Sequence, residues 1–375
     1  MRLIASFLAT LTVLVLPLAA QREPPRPKVP ADLDTNDARA YYRWAGRSEV
    51  SWKDAANAYY WAMRLEPDNP NWRYARYRGL WYRQPAAWRQ QYSEGAKFVV
   101  KTKEAKEIDS LLGEVLIRHP FPHFTGPCYL AEGLDRQRDR ALVGLIHYEN
   151  GCYRQAGEAF AQALEKSPSA LVLHIYRARG FYFQKQYDRT VRELAILLDS
   201  LRARDTTHLA HWYDSKEMFE YMIGMAEWAA GRLVPAREAF GRALTEDLSF
   251  YMAHARLGAV ARDLGNRDQA VAEYELAVGL KPDDGVLRHQ YGGTLLEAER
   301  FEEAEAQLRE AMRLEPYWAH PHFDLGVTLA RQGKHTEALA AFEMFLTRCP
   351  RRLDALAERA KTQIRTLQQR MAAGS

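Results

Sequence analysis

His119, His123 and Cys128 lie close together in the stretch "HPFPHFTGPC". Imidazole nitrogen and thiolate are zinc ligands, but a zinc site takes three or four of them on a supported scaffold. The cysteine here comes singly, without Cys-x-x-Cys spacing, and Pro120 and Pro122 give the loop a structural reason of its own. "HPH", His320 to His322, opens a helix and reads as surface. The chain has no His-Glu-x-x-His for a zincin-type peptidase, no Gly-x-Ser-x-Gly elbow and no phosphate-cradling glycine loop. Nucleophile, base and orienting group are not found together, so the reading is non-catalytic, with no cofactor and no metal. The alternative is a hydrolase or metal-dependent enzyme built on residues 93–136, which metal analysis of the purified protein separates.

A second candidate is the strip from Trp72 to Lys106. Arg73, Arg76, Arg78, Arg83, Arg89, Lys97, Lys101, Lys103 and Lys106 interleave there with Trp72, Tyr74, Tyr77, Trp81, Tyr82 and Trp88. Cations among aromatics hold phosphates and stack on bases or sugars, so an anionic glycan or lipid headgroup is one reading. The other is a helix whose Tyr74, Tyr77 and Trp81 form a core stripe under solvated arginines. The whole chain carries 52 basic against 48 acidic residues, a net charge of +4, which gives no general field for nucleic acid.

The elements that would position these residues repeat. Pro168, Pro282, Pro316 and Pro350 end similar units, with Pro67 as a looser copy. Twelve residues earlier stand Ala156, Ala270, Ala304, Ala338 and Ala55; eight earlier stand Phe160, Tyr274, Leu308, Phe342 and Tyr59. Twenty-four earlier, in the regular copies, stand Gly144, Gly258, Gly292 and Gly326. Two further units fit without the proline, one with Ala178 and Leu194, the other with Gly224, Ala236, Phe240 and Ala243. These offsets predict antiparallel helix pairs: small residues where the backbones approach, the large residue filling space between neighbouring pairs, and proline stopping the second helix. Gly or Asn in "ENGCYRQ", "DLGNRDQ" and "RQGKHTE" ends the first helix. One such pair cannot bury its apolar face alone; a stack can.

The pattern resembles the tetratricopeptide repeat family over Gln137 to Arg352, in six units starting near residues 137, 171, 217, 251, 285 and 319. The resemblance implies an all-α, right-handed α-solenoid. Residues 37–92 read as degenerate helices of the same kind, and 93–136 as a short irregular insertion. Within the insertion, Phe98 to Lys101 suits a short strand, and Glu104 to Arg118 has the apolar spacing of an amphipathic helix. Residues 353–371 form a capping helix, with Leu356, Ala360, Ile364, Leu367 and Met371 on one stripe.

The first 20 residues combine Arg2, an apolar run and small residues before Gln21, which reads as a signal peptide, with an uncleaved anchor as the alternative. Residues 21–36 form a proline-rich tether. The expected product is exported, periplasmic or extracellular, with no membrane span after cleavage. Of three cysteines, Cys128 and Cys152 are the plausible pair, and whether they are bridged is left open.

In the resembled family the first helices line a concave surface that holds an extended peptide or a partner helix. The matching positions here are Leu145, Tyr148, Tyr176, Arg179, Tyr182, Met222, Met225, Trp228, Arg256, Arg262, His289 and Gln290. The Asn and Lys that clamp a terminal carboxylate in some members are absent. Tyr, Trp, Met and Arg are enriched in interface cores; the other reading is that several of them, Met222 and Trp228 included, are simply buried between units. The resemblance therefore implies a scaffold for a protein or peptide partner, while the expected export points to envelope components and away from nucleic acid.

Overall fold

The computed structural model describes residues 23–83, 103–121, 140–207, 209 and 214–373. Among them are 17 α-helices and no strand, the all-α solenoid that the spacing predicts. Helices α1 (Ala38–Ala45), α2 (Trp52–Leu65) and α3 (Pro70–Arg83) precede α4 (Lys103–Arg118). Six pairs follow: α5 (Arg140–Glu149) with α6 (Tyr153–Lys166), α7 (Val172–Phe183) with α8 (Tyr187–Ala203), and α9 (Lys216–Ala229) with α10 (Leu233–Glu246). Next come α11 (Tyr251–Asp263) with α12 (Arg267–Leu280), α13 (Gly285–Glu297) with α14 (Phe301–Leu314), and α15 (His320–Arg331) with α16 (His335–Arg348). The last helix is α17 (Asp354–Ala373), with Ala360 and Leu367 buried from its apolar stripe. The expected leader and the expected strand at Phe98 to Lys101 lie outside the described residues.

Two local devices make the pairs. Gly151, Gly265 and Gly333 end their first helices at φ of 72°, 80° and 77°, a left-handed conformation that costs other residues free energy. The second device is contact between the first-helix glycine and the large residue of its own second helix. A Cβ on Gly224 would lie 2.5 Å from the Phe240 ring, and one on Gly258 would lie 2.8 Å from Tyr274. The ring therefore covers its own pair's glycine, where the sequence reading placed it between neighbouring pairs. Gly224→Ala should destabilise the protein, because about 1–3 kcal/mol of overpacking outweighs the ~1 kcal/mol gained in helix propensity. Gly241, on α10 of the same pair, has nothing within 4 Å of its would-be Cβ, so Gly241→Ala should raise the melting temperature. Opposite signs in thermal denaturation check the register.

A polar pair also repeats across the two helices at a separation of 19 residues. His174 Nδ1 lies 2.6 Å from Glu193, His254 Nδ1 lies 2.8 Å from Glu273, and Arg288 donates to Gln307 at 2.7 Å. In the last pair, His322 takes the first position and Ala341 the second, so the histidine has no counterpart there.

The two ends of the array meet. Trp61 of α2 packs edge-on against Tyr317, with centroids 5.0 Å apart, and Arg64 pairs with Glu315 at 2.6 Å. Arg352, just after α16, bonds Asp37 at 3.1 Å and also reaches Glu66. Asp34 accepts the Arg351 backbone N–H at 2.7 Å.

Candidate functional site

Helix α4 has buried Ile108, Leu111, Val115 and Leu116, spaced three, four and one residue apart, so it has an apolar face that needs cover. Part of that face packs with Ala56 and Leu80 of α2 and α3. Its other end, Ile117 with Phe121, joins the main core of the repeats. Pro120 cannot continue a helix, and it biases His119 away from helical geometry. The chain thus leaves α4 at Arg118 and runs on to Phe121 over the first helices.

Four successive first helices hold this short run. On α7, Arg179 Nε donates to the Pro120 carbonyl at 3.0 Å, and the Tyr182 ring stacks flat on Phe121, centroids 3.8 Å apart. Tyr221 of α9 donates to the Arg118 carbonyl at 3.4 Å, and Arg256 of α11 donates to the same oxygen at 2.8 Å. Asp284, the N-cap of α13, meets the Arg118 guanidinium at 2.6 Å. Two main-chain carbonyls, one arginine and one aromatic ring are therefore recognised along four residues.

The ion pair is deeply placed. The Asp284 side chain is 1% exposed and that of Arg118 is 14% exposed. Burial opposes the Arg118 charge, but Asp284 and the nearby Glu114 hold the guanidinium more firmly protonated than usual. Asp284 Oδ1 also accepts the Val286 and Leu287 N–H groups, both at 3.0 Å. Close by, burial raises the Glu315 carboxyl above its ordinary range, outweighing the opposing pull of Arg64, Arg73 and Arg118. Burial pushes the Tyr182 phenol up to about 12, so it is neutral at any physiological pH.

Arg179, Tyr182 and Arg256 of the predicted surface are brought together on residues 118–121. Trp228 is half-buried, with Arg256 over its ring and its Nε1 on Asp263 at 2.9 Å. Arg262 is exposed; His289 bonds Asp324 at 2.8 Å, and Gln290 is half-buried beside it. Leu145 and Tyr176 are partly buried against the α5–α6 pair. Tyr148, Met222 and Met225 need correcting: they are 3%, 1% and 6% exposed, because their helices turn these side chains into the junction between pairs. Sequence reasoning missed Arg118, Pro120, Phe121, Tyr221 and Asp284 as parts of this site. The unpartnered apolar stripe on Glu104 to Arg118 was the available signal that this segment must dock somewhere.

The other candidates are placed differently. His119 Nδ1 lies 2.8 Å from the Phe121 carbonyl, while His123 and Cys128 lie outside the described residues. Among the described residues, no group of three His, Cys, Asp or Glu is placed to hold a metal. In the basic strip, Trp72, Arg73 and Arg76 are buried, with Arg76 donating to the Ala56 carbonyl at 2.7 Å. Tyr74, Tyr77 and Trp81 stack in series, with centroids 5.7 and 6.2 Å apart. The strip as far as Trp81 therefore turns aromatic and basic groups inward. Cys152 is disulfide-bonded and Cys349 is a free thiol.

A tetratricopeptide repeat profile matches residues 221–285 and 293–352. The protein O-mannosyl-transferase Tmtc1 of Drosophila melanogaster is 33% identical over 87 residues, 23% of this chain and 10% of that protein. An uncharacterized protein of Haemophilus influenzae is 30% identical over 77 residues, 20% of this chain and 43% of that protein. The chain thus spans less than half the length of each of these relatives. Among solved structures, YrrB, a TPR protein with an unusual peptide-binding site, aligns over 55% of this chain and 99% of its own, with 23% identity and a TM-score of 0.43. MamA aligns over 46% of this chain and 95% of its own, with 19% identity and a TM-score of 0.39. With its paired helices, its glycine-on-ring contacts and the profile match in the last four pairs, the chain carries tetratricopeptide repeats.

Proposed function

We propose that this protein is an exported, non-catalytic scaffold that binds a protein or peptide partner on the face formed by its first helices. In this reading it organises an assembly in the envelope or outside the cell. The observation that supports it is the seat of residues 118–121, where carbonyl-directed bonds from Arg179, Tyr221 and Arg256 hold the main chain at the end of α4. Such bonds suit any peptide backbone, and the flanking ring stack and ion pair add sequence preference. Export is supported by the disulfide at Cys152, since disulfides persist in oxidising compartments. Among the described residues no helix is long and apolar enough to cross a membrane.

The test is site-specific photocrosslinking in the native cells. A photoreactive side chain at exposed Arg262, on the first-helix face, should capture a discrete protein from the exported fraction. The same group at Leu276, 53% exposed on a second helix, should not. Equal capture at both positions, or none at Arg262, would remove the assignment of this face.

A further inference from the structure

We infer that the partner presents an arginine followed at the second and third positions by proline and an aromatic residue, and that it takes the place of Arg118 to Phe121. The inference rests on the proposed peptide-binding role of this face and specifies what the face reads.

Each part of the pattern has a distinct receptor. The arginine position is read by Asp284, whose carboxylate is fixed by two backbone N–H groups and faces the guanidinium at 2.6 Å. A fixed, buried carboxylate accepts a forked cation far better than a neutral side chain, which would leave its charge unpaired. The aromatic position is read by Tyr182, whose ring lies parallel to that of Phe121, with an interplanar angle of 2°. Proline ends the preceding helical turn, and its carbonyl points to Arg179. The carbonyl of the arginine residue is shared by Tyr221 and Arg256. Tyr221 also receives the Arg256 Nε at 3.1 Å, so donors and pattern are set in one connected group.

The receptor groups all belong to the repeats, whereas the bound segment belongs to the non-repeating insertion. The segment is therefore a ligand held in cis. A cis ligand lowers the apparent affinity of an external one by the fraction of time it leaves the site open.

The experiment uses the full mature chain and a labelled peptide with the sequence Leu111 to Phe121. Fluorescence anisotropy should show weak binding to the parent. Binding should be at least about tenfold tighter to the Arg118→Ala/Phe121→Ala chain, whose internal competitor is weakened. Peptides carrying Ala at the Arg or Phe position should lose at least about tenfold on that chain. A folded double variant that ignores the peptide, or binds the Ala peptides equally well, overturns the inference. If the double variant does not fold, the parent carries the test by hydrogen exchange. Saturating peptide should then speed exchange of the amides of residues 116–121, and the Ala peptides should not; unchanged exchange overturns the inference. Capture at Arg262 alongside failure of the peptide would leave the scaffold reading intact and remove only the specificity.

Discussion

Asp284→Ala should lower the unfolding free energy by about 3–5 kcal/mol, the loss typical when one partner of a buried ion pair is removed. Two effects coincide. Arg118 keeps its charge in a nearly dry site after its carboxylate is gone, and α13 loses the cap that receives the Val286 and Leu287 N–H groups. Asp284→Asn separates them, because the amide oxygen can still cap. It should recover about 1 kcal/mol of the loss while leaving the guanidinium unpaired. Arg118→Ala should be milder than Asp284→Ala, since the remaining carboxylate still has two backbone donors and the positive end of α13. Urea denaturation at neutral pH, followed by tryptophan fluorescence, checks the order. Equal stability of Asp284→Ala and parent would mean that α4 is not seated on the repeats as described.

The repeat was legible because its causes are local. Gly224 beneath Phe240 and Gly265 at positive φ each answer to one helix pair, and the pair recurs, so a single chain shows the same offsets several times. The places of Arg179, Tyr182 and Arg256 on first helices followed from the same register. What sequence could not supply was contact at long separation. Arg118 and Asp284 are 166 residues apart, and Arg64 meets Glu315 across 251. Neither residue type nor spacing marks an arginine in an irregular insertion as the partner of one particular helix cap. The burial of Met222 and Met225 was ambiguous in the sequence for a related reason. A first helix in a stack has both a concave face and a junction face, and a Met-rich run fits either.

The sharpest departure from the repeat produces the second large effect, which depends on pH. At the position where His174 and His254 face carboxylates, His322 faces Ala341. It is 5% exposed, and neither ring nitrogen finds a hydrogen-bond partner. Burial, with the Arg348 charge adding to it, pushes the imidazole down to about 4 from an ordinary 6.5. The unfolded chain therefore takes up this proton first as pH falls. Stability is fully present above about pH 6.5, declines between 6.5 and about 4, and levels off below. A shift of this size corresponds to roughly 3 kcal/mol. His320, also lowered chiefly by burial, adds to the decline with the same sign. His322→Leu should leave neutral-pH stability near that of the parent and remove most of the acid loss, so the two urea midpoints should diverge steadily from pH 7 to pH 4. Ala341→Glu should shrink the loss by a different route, supplying the carboxylate that the other pairs possess at this offset. Parallel stability curves for parent and His322→Leu over that range would show that the imidazole is charged or solvated in the folded protein, and the missing partner at residue 341 would then have no energetic consequence.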